Sequence, residues 1–263
     1  MNEGKPASLA LVLLGCMLLT ACQGRPTRPA IERRALASAS SSSGRATREN
    51  PRPIRMDWLD RQQAPPVFVM RGAPRGAGRL AFLHGMCGHG LGYAQSFQFS
   101  AAKKGTLIAP QGDISCGGVF SKWSSDVAAL DARILRTFQL LVEPDDAAEI
   151  TIIGMSQGAD RAVALVKRYP QRYTRLISMD APTALKPGQL RSLRAAVMMA
   201  GELDRQDLMR QSAQALTASG VPATFMLIPR ARHGDMGPSP EQTMGTALDW
   251  LWAHGGETVR GAE

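Results

Sequence analysis

The chain has 263 residues, a formal net charge of +9 and four cysteines. That length supports one large domain with a well-buried core rather than several small ones. The positive charge is concentrated in residues 23–55, which hold eight Arg against two Glu. The remainder shows no basic patch interleaved with aromatics, so nucleic acid is not expected as a partner.

At the N-terminus, Lys5 precedes an apolar run from Leu9 to Leu19 and then small residues, the three-part layout of a secretory signal. The run is too short to be a stable membrane span. Leu19, Thr20, Ala21 and Cys22 resemble a bacterial lipobox. The resemblance implies that residues 1–21 are removed and that Cys22 is lipidated and becomes the new N-terminus; an ordinary signal peptide cleaved near Ala21 is the alternative. More than one acyl chain gives stable attachment, so a protein tethered to the bacterial cell envelope is expected. Gln23, rather than Asp, after the cysteine points to the outer membrane. Residues 22–55 are rich in Arg, Ser, Pro and Ala, with a run of serines at 40–43, and such composition cannot offset its ordering entropy by burial. They read as a flexible tether.

Residues 56–263 read as the globular domain. Runs of strand length and continuous apolarity occur at Arg79–Leu83, Thr106–Ala109, Ile150–Gly154, Leu176–Met179, Ala196–Ala200 and Thr224–Ile228, as expected for strands covered on both faces. Helical spacing occupies Asp126–Leu141, Gly158–Tyr169, Asp204–Ser219 and Ser239–His254. Earlier strands between Met56 and Arg71 are obscured by Pro65 and Pro66. The alternation predicts an α/β fold with a mostly parallel central sheet and helices on both faces. In such sheets, chemistry belongs at the carboxyl ends of the strands. Of the cysteines, Cys87 and Cys116 fall in this domain; in an oxidising compartment they either pair or remain as buried thiols. No cluster has the spacing of metal ligands, and no cofactor motif is present.

Gly154, Met155, Ser156, Gln157 and Gly158 follow a strand run and precede a helical stretch, the Gly-X-Ser-X-Gly arrangement of a nucleophile elbow. On this motif, with His84–Gly85 and the late Asp204 and His233, residues 56–263 resemble α/β-hydrolases. Within that superfamily they are most similar to small carboxylesterases of the dienelactone-hydrolase and polyhydroxybutyrate-depolymerase type. The resemblance implies a triad in the order Ser156, Asp204, His233, with His233 as base and Asp204 as the orienting acid; Asp180 competes for the acid role and Asp207 does so more weakly. It further implies an oxyanion hole made by the backbone amides of Gln157 and of Met86, with Cys87 as the alternative donor. A Cys87–Cys116 bridge would brace that loop. Trp123 is expected either to pack or to line a pocket. Fewer than twenty residues separate Asp180 from the next strand run, leaving no room for a large cap. The implied activity is carboxylic-ester hydrolysis through an acyl-enzyme by a monomer acting on small or polymeric esters. A peptidase or acyltransferase with the same triad, and a non-catalytic binding lipoprotein, are the alternatives.

Overall fold

The computed structural model describes residues 56–59, 65–72, 78–141 and 149–256. The expected signal peptide, Cys22 and the tether lie outside the described residues. In chain order the elements are β1 (Met56–Leu59), β2 (Val67–Met70), β3 (Gly78–Leu83), α1 (Gly90–Gln95), α2 (Gln98–Lys104), β4 (Gly105–Pro110), β5 (Ile114–Gly117), β6 (Phe120–Lys122), α3 (Val127–Leu141), β7 (Ile150–Met155), α4 (Gln157–Arg168), β8 (Tyr173–Met179), β9 (Ala195–Gly201), α5 (Asp207–Ala218), β10 (Ala223–Ile228) and α6 (Pro240–His254).

Eight strands form one sheet in the order β1-β2-β4-β3-β7-β8-β9-β10, and β5 and β6 pair separately as a hairpin. The pairs β1–β2 and β2–β4 are antiparallel; every pair from β4–β3 to β9–β10 is parallel. The central strands β7, β8 and β9 are buried at every position, which accounts for their unbroken apolar runs.

Side chains alternate between two cores, as the strand period of two requires. Ile150 and Ile152 of β7, with Ala196, Met198 and Ala200 of β9, pack beneath α3, α4 and α5 through Ile134, Ala162, Leu165 and Leu216. Their neighbours Ile153, Met155, Val197 and Met199 face the opposite core, with Ala94 of α1, Ala101 of α2 and Leu248 and Leu251 of α6.

Two tertiary hydrogen-bond sets join elements that neither pattern nor propensity connects. The Glu241 carboxylate at the start of α6 accepts from the amides of Phe99 and Ser100 at 2.8 and 2.9 Å, which satisfies orphan donors at the N-terminus of α2. Asp131 of α3 is buried and accepts from Arg172 Nη1 at 2.6 Å and from the Tyr173 hydroxyl at 2.7 Å.

The expected strands and helices are present with modest changes at their ends. The helix expected from Asp204 begins at Asp207, because the amides of Glu202 and Leu203 are held by the carbonyls of Ile228 and Ala231. Helices α1 and α2 and the β5–β6 hairpin were not visible in the sequence pattern. Helix α1 carries two glycines in six residues, and β5 is exposed along its whole length, so neither has an apolar period to read. Between β8 and β9 there is only a short 3-10 turn, Pro187–Gln189, and no large cap.

Candidate active site

Ser156 occupies the turn between β7 and α4 with φ +50° and ψ −117°, a conformation that non-glycine residues adopt only when the surroundings impose it. Its amide donates to the Met179 carbonyl at 2.8 Å. Close packing makes the turn possible. A Cβ on Gly158 would lie 2.1 Å from the Leu83 carbonyl oxygen, so only glycine lets α4 start this near β3. The serine hydroxyl stands above the sheet, at the N-terminus of α4, where the helix dipole and free amides favour negative charge.

Across from it, His233 Nε2 lies 2.9 Å from Ser156 Oγ, and His233 Nδ1 lies 2.8 Å from Asp204 Oδ2. A carboxylate offers only acceptors, so Nδ1 carries the proton and Nε2 presents its lone pair to the serine hydroxyl. His233 is 52% exposed and Asp204 19%, so the imidazole is open to an incoming molecule while its carboxylate partner is sheltered.

The two loops that carry these residues are bound to each other. Glu202 and Leu203 donate their amides to Ile228 and Ala231, both at 2.9 Å. The Glu202 carboxylate accepts from the Arg230 amide at 2.8 Å. Gly201 allows the approach, since a Cβ there would lie 2.5 Å from the Ala231 carbonyl oxygen.

Asp180, at the end of β8, does not partner the imidazole. It is buried, and its Oδ1 accepts from the Gly201 amide at 3.0 Å while its Oδ2 accepts from the Gly234 amide at 3.1 Å. Asp207 is fully exposed and pairs with Arg205 at 3.1 Å, which holds its carboxyl below the usual value. Asp180, Asp204 and His233 place their polar atoms within 4.8 Å of one another. Those atoms are engaged in the hydrogen bonds above, so the group is a hydrogen-bonded cluster rather than an open ligand set.

The loop after β3 borders the serine. A Cβ on Gly85 would lie 3.4 Å from Ser156 Cβ, and Gly88 donates its amide to Gly85 O at 3.0 Å to close a turn around Met86 and Cys87. Cys87 has φ +50° and is bonded to Cys116 of β5, so the disulfide staples this loop to the hairpin.

His84 anchors the same loop from below. Its Nε2 accepts from the Gly112 amide at 2.9 Å; Nδ1 therefore carries the proton and donates to Gly85 O at 2.7 Å. Desolvation lowers its pKa from the usual 6.5 to about 4, so it is a neutral structural imidazole at physiological pH.

Gln111 completes the bracing. The two hydrogens of its side-chain amide are shared among Gly88 O at 2.9 Å, Val119 O at 3.1 Å and Ser121 Oγ at 2.8 Å, and its oxygen accepts from the Gly90 amide at 2.8 Å.

Trp123 packs against the loop after β3 and also borders a cavity with Asp113, Leu130 and Arg133. It is 4% exposed, lies with its ring centroid 4.8 Å from that of His84, and donates Nε1–H to His84 O at 2.7 Å. The Gln157 side chain holds the Trp123 backbone on both sides, accepting from its amide at 3.1 Å and donating to its carbonyl at 3.2 Å. Neither Gln157's bracing role nor that of Gln111 was foreseen. An isolated glutamine carries no signal until its partners are known.

The sheet order, the serine at a positive-φ turn after β7 and the helices on both faces define an α/β-hydrolase fold. Solved structures agree. A CIB-like hydrolase from Thermoplasma acidophilum is similar with a TM-score of 0.56 at 16% identity, over 76% of this chain and 98% of that one. A carboxylesterase from Bacillus subtilis is similar with a TM-score of 0.55 at 15% identity, over 77% and 93%, and a fungal esterase from Rhizomucor miehei with 0.57 at 14%, over 76% and 83%. At these identities the likeness is one of fold. No family model matches the chain, and no curated protein matches it.

Proposed function

We propose that the protein is a serine hydrolase whose substrates are carboxylic esters. The observation that carries this reading is the unbroken hydrogen-bond chain from Ser156 through His233 to Asp204. A neutral serine needs an adjacent base to become a nucleophile, and the tautomer set by Asp204 leaves Nε2 free to take the proton. Ser156 Oγ attacks the ester carbonyl as its proton passes to His233. The resulting oxyanion falls to the amides of Gln157, at the start of α4, and Met86, in the loop braced by His84 and the disulfide; a lost donor of this kind costs about 3–4 kcal/mol. Collapse expels the alcohol, which takes the proton back from His233, and water activated by the same imidazole releases the acid. Esterases of the same fold and the lack of a large cap support an ester substrate reached from solvent. Cys22 as a lipid anchor in the bacterial envelope belongs to the same proposal, and intact-mass measurement of the mature protein tests it.

The deciding experiment is labelling of the purified protein with a fluorophosphonate probe, together with the Ser156→Ala and His233→Ala variants. Labelling lost in both variants, with turnover of an ester panel graded by acyl length, supports the proposal. A folded wild type that neither labels nor turns over would leave a binding role. Turnover of peptides, or acyl transfer to an added alcohol, in preference to ester hydrolysis would redirect the assignment within the same triad.

A further inference from the structure

We infer that Asp180 is a positioning residue for the histidine, holding the base-bearing and acid-bearing loops together and supplying a second negative charge beside the imidazole. The inference rests on the esterase reading above.

The geometry is specific. Asp180 is 2% exposed, and its two oxygens reach two different loops: Gly201, three residues before Asp204, and Gly234, adjacent to His233. Gly234 is held at its carbonyl too, because the Tyr93 hydroxyl of α1 donates to Gly234 O at 3.0 Å. Gly234 itself has φ +75°, which glycine adopts without strain, so these two hydrogen bonds rather than its own backbone preference hold it in place. Asp180 in turn holds φ +46°, an uncommon backbone for a non-glycine residue that aims the carboxylate back across the strand ends.

Its charge is otherwise unexplained. Among the described residues no Lys or Arg pairs with Asp180, and burial and the nearby Asp204 push its carboxyl up from the ordinary range. A buried carboxylate held only by two backbone amides is costly to the fold. The one positive charge that forms beside it is the imidazolium of His233, generated when the serine proton is taken up. Asp180 thus opposes the resting fold and favours the charged state in the reaction.

Other charged and titratable groups share this space. Asp204 faces the imidazole directly. Asp235, two residues along the histidine loop, acts with Asp180 on the Tyr93 phenol, which burial holds above its usual range. Arg205 is turned to Asp207, Glu202 to the Arg230 amide, and Asp160 of α4 to Arg161 and Thr183.

The test compares wild type with Asp180→Asn on one chromogenic ester across pH. The Asn keeps the size but removes the charge and one acceptor. The expected result is a kcat lower by about 10–100-fold, as for a slightly misplaced catalytic group, with KM nearly unchanged. The acid limb of kcat/KM should move to lower pH, because the anion beside the imidazolium is gone. Tyr93→Phe, which loosens the same glycine without changing charge, should lower kcat and leave the limb in place. An Asp180→Asn protein with an unmoved acid limb overturns the inference.

If that variant does not fold, nitrogen-15 NMR of the wild type decides. The Gly201 and Gly234 amides should exchange slowly and shift on acidification together with the fall in turnover. Amides that exchange as fast as free loop amides overturn it. A wild type without labelling or turnover would instead remove the esterase reading, so the two failures are distinguishable.

Discussion

Gly158 of α4 and Leu83 of β3 are in such close contact that a Cβ on the glycine would lie 2.1 Å from the Leu83 carbonyl oxygen. That contact is backbone against side-chain position, so no rotamer change relieves it. It fixes the start of α4, and with it Ser156, against the strand whose following loop borders the serine. Gly158→Ala should therefore destabilise by about 3 kcal/mol or more. Gly188→Ala, where a Cβ meets nothing within 4 Å, should stay within about 0.5 kcal/mol. Thermal unfolding of the two variants checks the contrast.

His84 predicts an acid sensitivity. Its folded pKa is depressed from 6.5 to about 4, so the unfolded chain binds the extra proton between those values. Its contribution is fully present above 6.5 and is lost as pH falls toward 4. The shift corresponds to roughly 3 kcal/mol at most. Stability measured across that window should fall in wild type by that amount more than in His84→Gln, whose side chain cannot titrate. Equal slopes in the two proteins would show that His84 is not the group responsible.

The Cys87–Cys116 bridge closes a separation of 29 residues, worth about 3–4 kcal/mol in the loop-entropy model. Reduction, or the double variant Cys87→Ser with Cys116→Ser, should lower the unfolding temperature. It should also lower kcat more than KM, because the loop carrying Met86 loses its staple to β5. Thiol titration of unreduced protein should find neither cysteine free.

Glu149, at the entry to β7, lies far from the serine along the strand. Its carboxylate accepts from Thr174 Oγ1 at 3.0 Å and Arg175 Nη1 at 3.2 Å and pairs with Arg194. Arg175 is 7% exposed. Removing one member of a buried pair leaves the other charge uncompensated, so Glu149→Ala should cost about 3 kcal/mol. The kcat of the remaining folded protein should not change, a combination read from denaturant unfolding alongside ester turnover.

How much of this could be read in advance follows from the range of each interaction. The central strands were legible because burial on both faces leaves continuous apolar runs, as in Ile150–Met155 and Ala195–Gly201. The elbow was legible because its five-residue pattern is local: Gly154 answers a demand made within five residues, a Cβ there lying 2.4 Å from the Gly158 carbonyl oxygen, whereas the demand on Gly158 comes from Leu83 of β3. The order of Ser156, Asp204 and His233 along the chain placed each after a strand, which parallel sheets bring to one edge.

The rest required three dimensions. Asp180 and Asp204 both follow strands, and nothing local says which carboxylate meets the imidazole; the choice falls to the loop–loop hydrogen bonds around Gly201 and Ala231. Helix α1 and the β5–β6 hairpin owe their places to Gln111, His84 and the disulfide rather than to an apolar period of their own. By itself the sequence determined which residues are buried in strands and which serine turns sharply out of the sheet, since those are properties of neighbours in the chain. Only the tertiary structure decided which carboxylate faces the imidazole and what holds the loops in register, because those contacts join residues that are tens of positions apart and carry no local signature.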